Sequence, residues 1–553
     1  MRDFAPRETL ASHTVENQPP ADDDRDAFAD DLPLREALNH EAPAWVAERL
    51  ASLGQAVGSR EVQAWGEAAN RHPPELRLFD RYGRRLDEVR YHPAYHRLME
   101  LACRGGWHAV AWREAGRGGH QAHVAALYLL TQAEPGFCCP ITMTHAALPA
   151  LRHAPEVLAT WQPKLLAHDY DGRALPLADK AAATLGMAMT EKQGGSDVRA
   201  NTTRAERDGD GYRLTGHKWF CSAPMSDGFL TLAQQSKGLS CFLVPRFTPD
   251  GTRNAIELQR LKEKCGNRAN ASAEIEYRGA WALPVGDPGR GIATILEMVQ
   301  QTRLDAAVAP VGMMRQALVC AWQHACGRHA FGKRLADQPL MRAVIADLAL
   351  EVEAGVALSL RAARAFDAAA DAAADDDEEA ALARLLPTLA KYWHNRLGPG
   401  FMAEAMECLG GIGYVEESPL ARLYREAPVN SIWEGSGNVI CLDLLRVVRR
   451  QPRSLEALLA LLAKAQGRQG DYDRALAEIH RLLAGPAEAL EPRARWLTQR
   501  LAQATQAALL LDRVPAAVAE GFCRSRLGEA SPAYGCLPAD LALTPILDRL
   551  PGP

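Results

Sequence analysis

A change of pattern in the middle of the chain restricts its architecture more than any single residue does. Between 186 and 283, Val, Ile, Thr and aromatic residues alternate with polar ones, and glycine turns such as Asp208-Gly209-Asp210-Gly211 and Asp250-Gly251 recur at short intervals. Alternation with period two puts successive side chains on opposite faces of a strand, so this stretch predicts a compact, mostly antiparallel β domain. On either side the period is helical. Residues 34 to about 183 read as helices with polar breaks near 71–75, 115–120 and 168–176. Segments 291–328, 339–371 and 384–408, rich in Ala, Leu, Met and Arg, predict a bundle of long antiparallel helices. The expected fold class is mostly α with a central β domain.

The 553 residues exceed what one hydrophobic core organises. The pattern suggests an N-terminal arm at 1–33 (polar, with Pro19, Pro20 and Pro33) and a helical domain at 34–185. A β domain at 186–283 and a helical bundle at 284–450 follow. A C-terminal helical domain at 451–553 is punctuated by Pro486, Pro492 and Pro515. A net charge of −5 excludes a uniformly basic nucleic-acid coat but leaves room for a local basic patch. The twelve cysteines are scattered without a Cys-x-x-Cys pair, which reads as reduced thiols. The first 30 residues lack an apolar run and carry Asp22-Asp23-Asp24, which argues against a signal or transit peptide. No uninterrupted apolar run approaches the ~18 residues of a spanning helix, so no membrane partner is expected and the location expected is cytoplasmic.

No metal site is expected either. His92 with His96, and His120 with His123, sit at helical spacing but lack a third ligand at a suggestive distance. The acidic run 375–379 reads as a solvated loop or helix start. Cys138-Cys139 reads as a buried wall, because adjacent cysteines seldom reach sound disulfide geometry.

Chemistry concentrates in a few short segments. Residues 187–197, Met-Ala-Met-Thr-Glu-Lys-Gln-Gly-Gly-Ser-Asp, run from a strand end into a polar turn. Gly194 and Gly195 let backbone approach a bulky anion, Thr190 and Ser196 offer hydroxyls, and exposed N–H groups form an anion-binding concavity. An ordinary surface turn is the competing reading. Further along come Gly211-Tyr-Arg-Leu-Thr-Gly-His-Lys-Trp-Phe-Cys-Ser222, Arg328-His-Ala-Phe-Gly332, Cys408-Leu-Gly-Gly-Ile-Gly-Tyr414 and Ile432-Trp-Glu-Gly-Ser-Gly-Asn438. These five segments, in this order, resemble the acyl-CoA dehydrogenase flavoprotein family. Strings 189–198, 216–220 and 429–438 are similar to its AidB-like branch, the DNA-binding flavoproteins of the alkylation response. The resemblance covers roughly residues 35–450.

That resemblance implies FAD as cofactor, a homotetramer built as a dimer of dimers, and a possible acyl thioester ligand. It makes Glu434 the base that removes the substrate α-proton and Arg303 a substrate-side arginine. Met189, Thr190, Gly195 and Ser196 would address the dinucleotide. Trp219 would lie against the isoalloxazine edge, with Ser222 and the backbone of Phe220 and Cys221 beside it. Arg328 would reach a pyrophosphate from a neighbouring subunit, with Phe331 packed nearby. Glu434, Gly435, Ser436, Gly437 and Asn438 would close over the cofactor. Blander roles exist for three of them: a Glu favouring a helix start, an inward strand aromatic and a surface ion pair for Glu434, Trp219 and Arg328. Two departures stand out. Glu407 replaces the usual Gln, and Gln300 replaces an Asp that helps hold CoA, which implies a CoA subsite altered or lost.

Arg446, Arg449, Arg450 and Arg453 share one face if a single helix carries them all, and Pro452 is where it would break. In the resemblance, the extra C-terminal helices contact DNA, with Arg524 and Arg526 as further candidates. The tail itself is nearly neutral, with 12 basic against 11 acidic residues from 451 onward. Binding through such arginines would be non-specific for double-stranded DNA and salt-sensitive. Two functions compete with a third. The first is an AidB-like FAD flavoprotein that binds DNA and keeps weak or vestigial dehydrogenase activity. The second is a genuine acyl-CoA dehydrogenase for branched or unusual acyl thioesters, without DNA binding. The third is an oligomeric scaffold in which FAD is structural.

Overall fold

The structure, a computed structural model, describes residues 6–19, 24–370, 377–529 and 531–552. Asp22, Asp23 and the first two residues of the acidic run 375–379 lie outside them. Two strands, β1 (Glu75–Phe79) and β2 (Arg85–Arg90), form an antiparallel hairpin where the period had read as helical. The local turn chemistry overrides that period. The Asp80 carboxylate accepts the backbone N–H groups of Tyr82 at 2.8 Å and Arg84 at 2.9 Å, and Gly83 takes the positive φ of +81° the turn requires.

Seven further strands build the central sheet: β3 (Leu185–Ala188), β4 (Arg204–Asp208), β5 (Gly211–Ser222), β6 (Gly228–Gln235), β7 (Gly238–Pro245), β8 (Ile256–Leu261) and β9 (Ser272–Val285). Their order is β3-β6-β4-β5-β9-β7, with β8 on β9 and β6 also pairing with β7. Pairing is mostly antiparallel, as the alternation predicts. The exceptions are β3 and β4, which run parallel to β6. Neighbours Phe229 and Leu230 on β6 point to opposite faces. Phe229 joins Phe242, Ile275 and Tyr277, whereas Leu230 joins Leu243, Val285, Trp161 and Met298.

The chain divides into two compact units that cross the sequence-based boundaries. One comprises Met1–Ala64, Ala115–Ala133 and Ala306–Pro553; the other comprises Trp65–Glu114 and Glu134–Asp305 and contains both sheets just described. Within the first, helices Pro339–Ala370 and Asp377–Cys408 pack on each other and also on the C-terminal helices Pro452–Ala463 and Ala494–Arg513. Residues beyond 451 are therefore part of this unit's core and not a body of their own. The end of the expected arm is also packed. Ala27 and Phe28 are buried, Arg25 donates to Gln132 and Gln316, and a Cβ on Gly58 would stand 2.1 Å from the Arg25 carbonyl oxygen. Among the described helices, Gly291–Gly327 has the length and composition of a membrane span, but 89% of that window is buried inside the protein.

Candidate functional site

The 190–196 turn is locked to the sheet by one buried carboxylate. Glu191 accepts from Thr202 N (2.6 Å), Thr203 Oγ1 (2.6 Å), Gln193 Nε2 (2.8 Å) and Lys218 Nζ (2.9 Å), and both Glu191 and Lys218 side chains are fully buried. Burial alone would raise the Glu191 carboxyl. The Lys218 charge and the threonine hydrogen bonds outweigh it and hold the group at about 2. The Thr190 carbonyl oxygen accepts Trp219 N–H at 2.7 Å, which fixes the turn against β5. Gly194 adopts φ +137°, and a Cβ on Gly195 would stand 2.5 Å from Thr190 Oγ1. The turn thus needs both glycines and leaves Gly195 and Ser196 exposed. Met189 is partly buried against the core and takes a hydrogen bond from Asn201 on its carbonyl oxygen.

Register between β5 and β9 shifts between Lys218 and Cys221, a bulge that turns Trp219 and Phe220 out of the regular alternation. The two rings meet edge to face at 6.4 Å. Trp219 carries a cation on its face: Lys262 Nζ lies 3.2 Å from the ring centroid. Phe220 is 47% exposed. The same Lys262 ammonium lies 4.8 Å from the Phe220 centroid, so it sits beside both rings, and the Trp219 side chain is half-buried. The Cys221 side chain is buried, which pushes its thiol up to about 12, so only its backbone can meet a ligand. Ser222, paired with Ser272 in register, is half-buried. In the same unit Arg303 is buried, and the Oε1 atoms of Gln300 and Gln301 are buried without a hydrogen-bond partner among the described residues.

The other unit carries the second set. Glu434 and Gly435 take successive positive φ values of +56° and +98°, a turn that only a glycine beside a strained non-glycine residue readily makes. The buried Lys391 ammonium donates to the Gly435 carbonyl oxygen, and Arg495 Nε donates to Asn438 Oδ1 at 2.7 Å. Ser436 precedes the helix Gly437–Arg450, and a Cβ on Gly437 would stand 2.8 Å from Arg396 Nη2. Three cations therefore surround the start of that helix, where partial positive charge already gathers. Arg328 Nη1 donates to the Asn17 carbonyl oxygen at 2.9 Å, and Asn17 also binds both backbone groups of His329. Just beyond, Phe331 is 101% exposed at φ +53°. Glu407 is exposed.

Models of three protein domains match this chain: the adaptive response protein AidB N-terminal domain over residues 17–172, the acyl-CoA dehydrogenase middle domain over 186–280 and the acyl-CoA dehydrogenase C-terminal domain over 289–448. AidB of Escherichia coli (strain K12) is 47% identical over 519 residues, 93% of this chain and 94% of that one. The chain belongs to the acyl-CoA dehydrogenase family, in its AidB branch. Acyl-CoA dehydrogenase family member 11 of Caenorhabditis elegans is 32% identical over 87% of this chain and 78% of that one. The crystal structure of C. elegans ACDH-11 in complex with C11-CoA superposes with a TM-score of 0.86 at 28% identity, covering 95% of both chains.

The expected arginine stripe does not form as one face. The helix ends at Arg450, Gln451 leaves helical geometry, and Pro452 opens the next helix, so Arg453 belongs to a different element from Arg446, Arg449 and Arg450. All four are exposed; Arg446 lies 3.5 Å from Asp443. Arg526 is corrected outright as a DNA contact. It is largely buried, bonded to Asp347 and Glu351, and these carboxylates raise its already high pKa. Arg524 is paired with Glu520 and Asp540. Of the paired histidines, His92 caps the helix Pro93–Arg104, His96 bonds Tyr170 at 2.8 Å and His120 faces Asp367. The sequence reading missed Lys218, Lys262 and Lys391. Only Lys218, alternating inward on a strand, carried a signal that could have found it.

Proposed function

We propose that this protein is an FAD-containing flavoprotein of the alkylation response, with weak or vestigial acyl-CoA dehydrogenase activity and non-specific affinity for double-stranded DNA. The observation that carries the reading is the 190–196 turn, anchored through Glu191 and Lys218 next to a bulge that presents Phe220. The residues present fit the cofactor. Thr190, Ser196 and the N–H groups of the glycine turn would hold polar groups of the dinucleotide, where a Cβ on Gly195 would collide with Thr190. Trp219 would lie against the isoalloxazine edge with exposed Phe220 beside it, and Ser222 would offer a hydroxyl. Bound FAD would supply the two-electron acceptor for oxidation of an acyl thioester.

By the family resemblance Glu434 would take the proton from the substrate α-carbon, its turn steadied by Lys391 on the Gly435 carbonyl oxygen. An acyl thioester as ligand class is supported by the C11-CoA bound in the C. elegans relative. Gln300, in place of an acidic residue, supports weak rather than robust turnover. Exposed Phe331 and Arg328 beside it support a homotetramer, since a fully exposed aromatic at a strained φ suits an intersubunit contact. Exposed Arg446, Arg449 and Arg450 on the last turns of one helix support contact with duplex phosphates. Twelve free cysteines suit a cytoplasmic location.

Anaerobic turnover of an acyl-CoA panel with an artificial electron acceptor tests the reading. Slow reduction of the acceptor by the parent is expected, and none by Glu434→Gln at unchanged flavin content. Rapid turnover together with no duplex binding would favour the genuine dehydrogenase for branched or unusual thioesters instead.

A further inference from the structure

The hairpin β1–β2 carries a feature that none of the preceding chemistry uses. Between Arg77 and Arg85 the chain places four arginines against one aspartate, in a protein whose net charge is −5. The aspartate is consumed inside the turn. Asp80 accepts Tyr82 N–H, Arg84 N–H and Arg84 Nε (2.6 Å), so its charge is shared between the hairpin's own backbone and the Arg84 guanidinium. The tip then shows solvent two aromatic rings, Tyr82 at 67% and Phe79 at 52% exposure. Tyr82 has two guanidinium groups beside it and Phe79 has one. Arg81 Cζ lies 4.6 Å and Arg84 Cζ 5.5 Å from the Tyr82 centroid, and Arg85 Cζ lies 5.8 Å from that of Phe79.

The tip is also held rigidly. Buried Asp87 accepts Leu258 N–H at 2.9 Å, Arg85 Nε at 2.9 Å and Arg253 Nη2 at 2.9 Å, while Arg85 Nη2 donates to the Leu258 carbonyl oxygen at 2.6 Å. These bonds bolt the hairpin to the edge strand β8. Along the edge, Arg260 and Lys262 share Glu274, and Arg278 lies near Glu257 and Glu276. Exposed rings bracketed by arginine forks, on a preorganised support, are what binds a strand that offers both phosphates and free base faces. Only two apolar side chains project there, and the guanidiniums against them would have to be desolvated on entering lipid, which disfavours a membrane surface.

We infer that the Phe79–Arg85 hairpin tip is a binding site for single-stranded nucleic acid, with Tyr82 stacking on an unpaired base and Arg81 and Arg84 on adjacent phosphates. The hairpin and the helix that carries Arg446 are different elements with different residues, so either assignment can fail alone. Fluorescence anisotropy of the full-length purified protein tests it, with a labelled oligothymidylate of about 20 nucleotides, its duplex, and phosphatidylserine/phosphatidylcholine vesicles as probes. Tyr82→Ala is expected to weaken single-strand binding about tenfold while Tyr82→Phe retains it. Arg81→Ala with Arg84→Ala is expected to flatten the salt dependence by about 1.4 in slope. The inference is overturned if the parent ignores the oligothymidylate, if Tyr82→Ala binds it as the parent does, or if Tyr82 supports binding to vesicles only. Because these side chains are exposed, an unchanged thermal midpoint will show that the variants fold.

Discussion

Glu191 and Lys218 are two buried charges that compensate each other, hold the turn and, through Lys218 on the Leu232 carbonyl oxygen, tie it to β6. Replacing Glu191 with Gln strands the Lys218 ammonium in the core, and the expected cost is about 3–5 kcal/mol by urea denaturation, with FAD content lost in parallel. The pH dependence has a definite sign. The Glu191 carboxyl sits at about 2 when folded and at the ordinary 4.5 when unfolded, so its contribution is complete above the unfolded value and disappears as pH falls toward the folded one. Thermal midpoints measured from pH 5 downward should fall more steeply for the parent than for Glu191→Gln. At Phe220, truncation to Ala should lower FAD affinity severalfold without moving the thermal midpoint of the apoprotein, as read by flavin titration. The hydroxyls and glycines of the turn were legible in the sequence because their chemistry is local. How the two adjacent aromatics Trp219 and Phe220 are presented was not, because a bulge between Lys218 and Cys221 and a lysine from a distant segment beside both rings decide it.

The element that bears the arginines shows the same division between local and distant causes. Pro452 announced a break, and the helix does stop two residues before it, at Arg450. Arg446→Ala is therefore expected to weaken duplex binding severalfold at low salt and to reduce the salt slope by about 0.9, read by anisotropy. Arg526→Ala should act on folding instead: it leaves Glu351 and Asp347 without their cation, and a loss of about 3–5 kcal/mol in urea unfolding is expected. Nothing in the sequence around 526 distinguishes that arginine from Arg524, since the carboxylates that capture it lie some 180 positions away, at Asp347 and Glu351. The hairpin β1–β2 escaped notice for the opposite reason. Its strands are short, and a four-residue turn governed by Asp80 and Gly83 determines them rather than any long period.

Across the whole molecule, the sequence pattern marked the β domain and the long helices because burial writes a period into any extended element. It did not mark the two compact units, whose boundaries depend on which helices pack together after the chain has returned several times. The C-terminal helices illustrate this: their composition resembled a separate domain, yet they share a core with Pro339–Ala370 and Asp377–Cys408. The account rests on FAD occupying the cradle that the 190–196 turn and β5 build. The visible absorption spectrum of the purified protein, with stoichiometric reconstitution by FAD where the bands are weak, measures this directly. Flavin absorbance at one cofactor per chain in the parent, diminished in Gly195→Val, is the result expected. A colourless protein that takes up no FAD would contradict it.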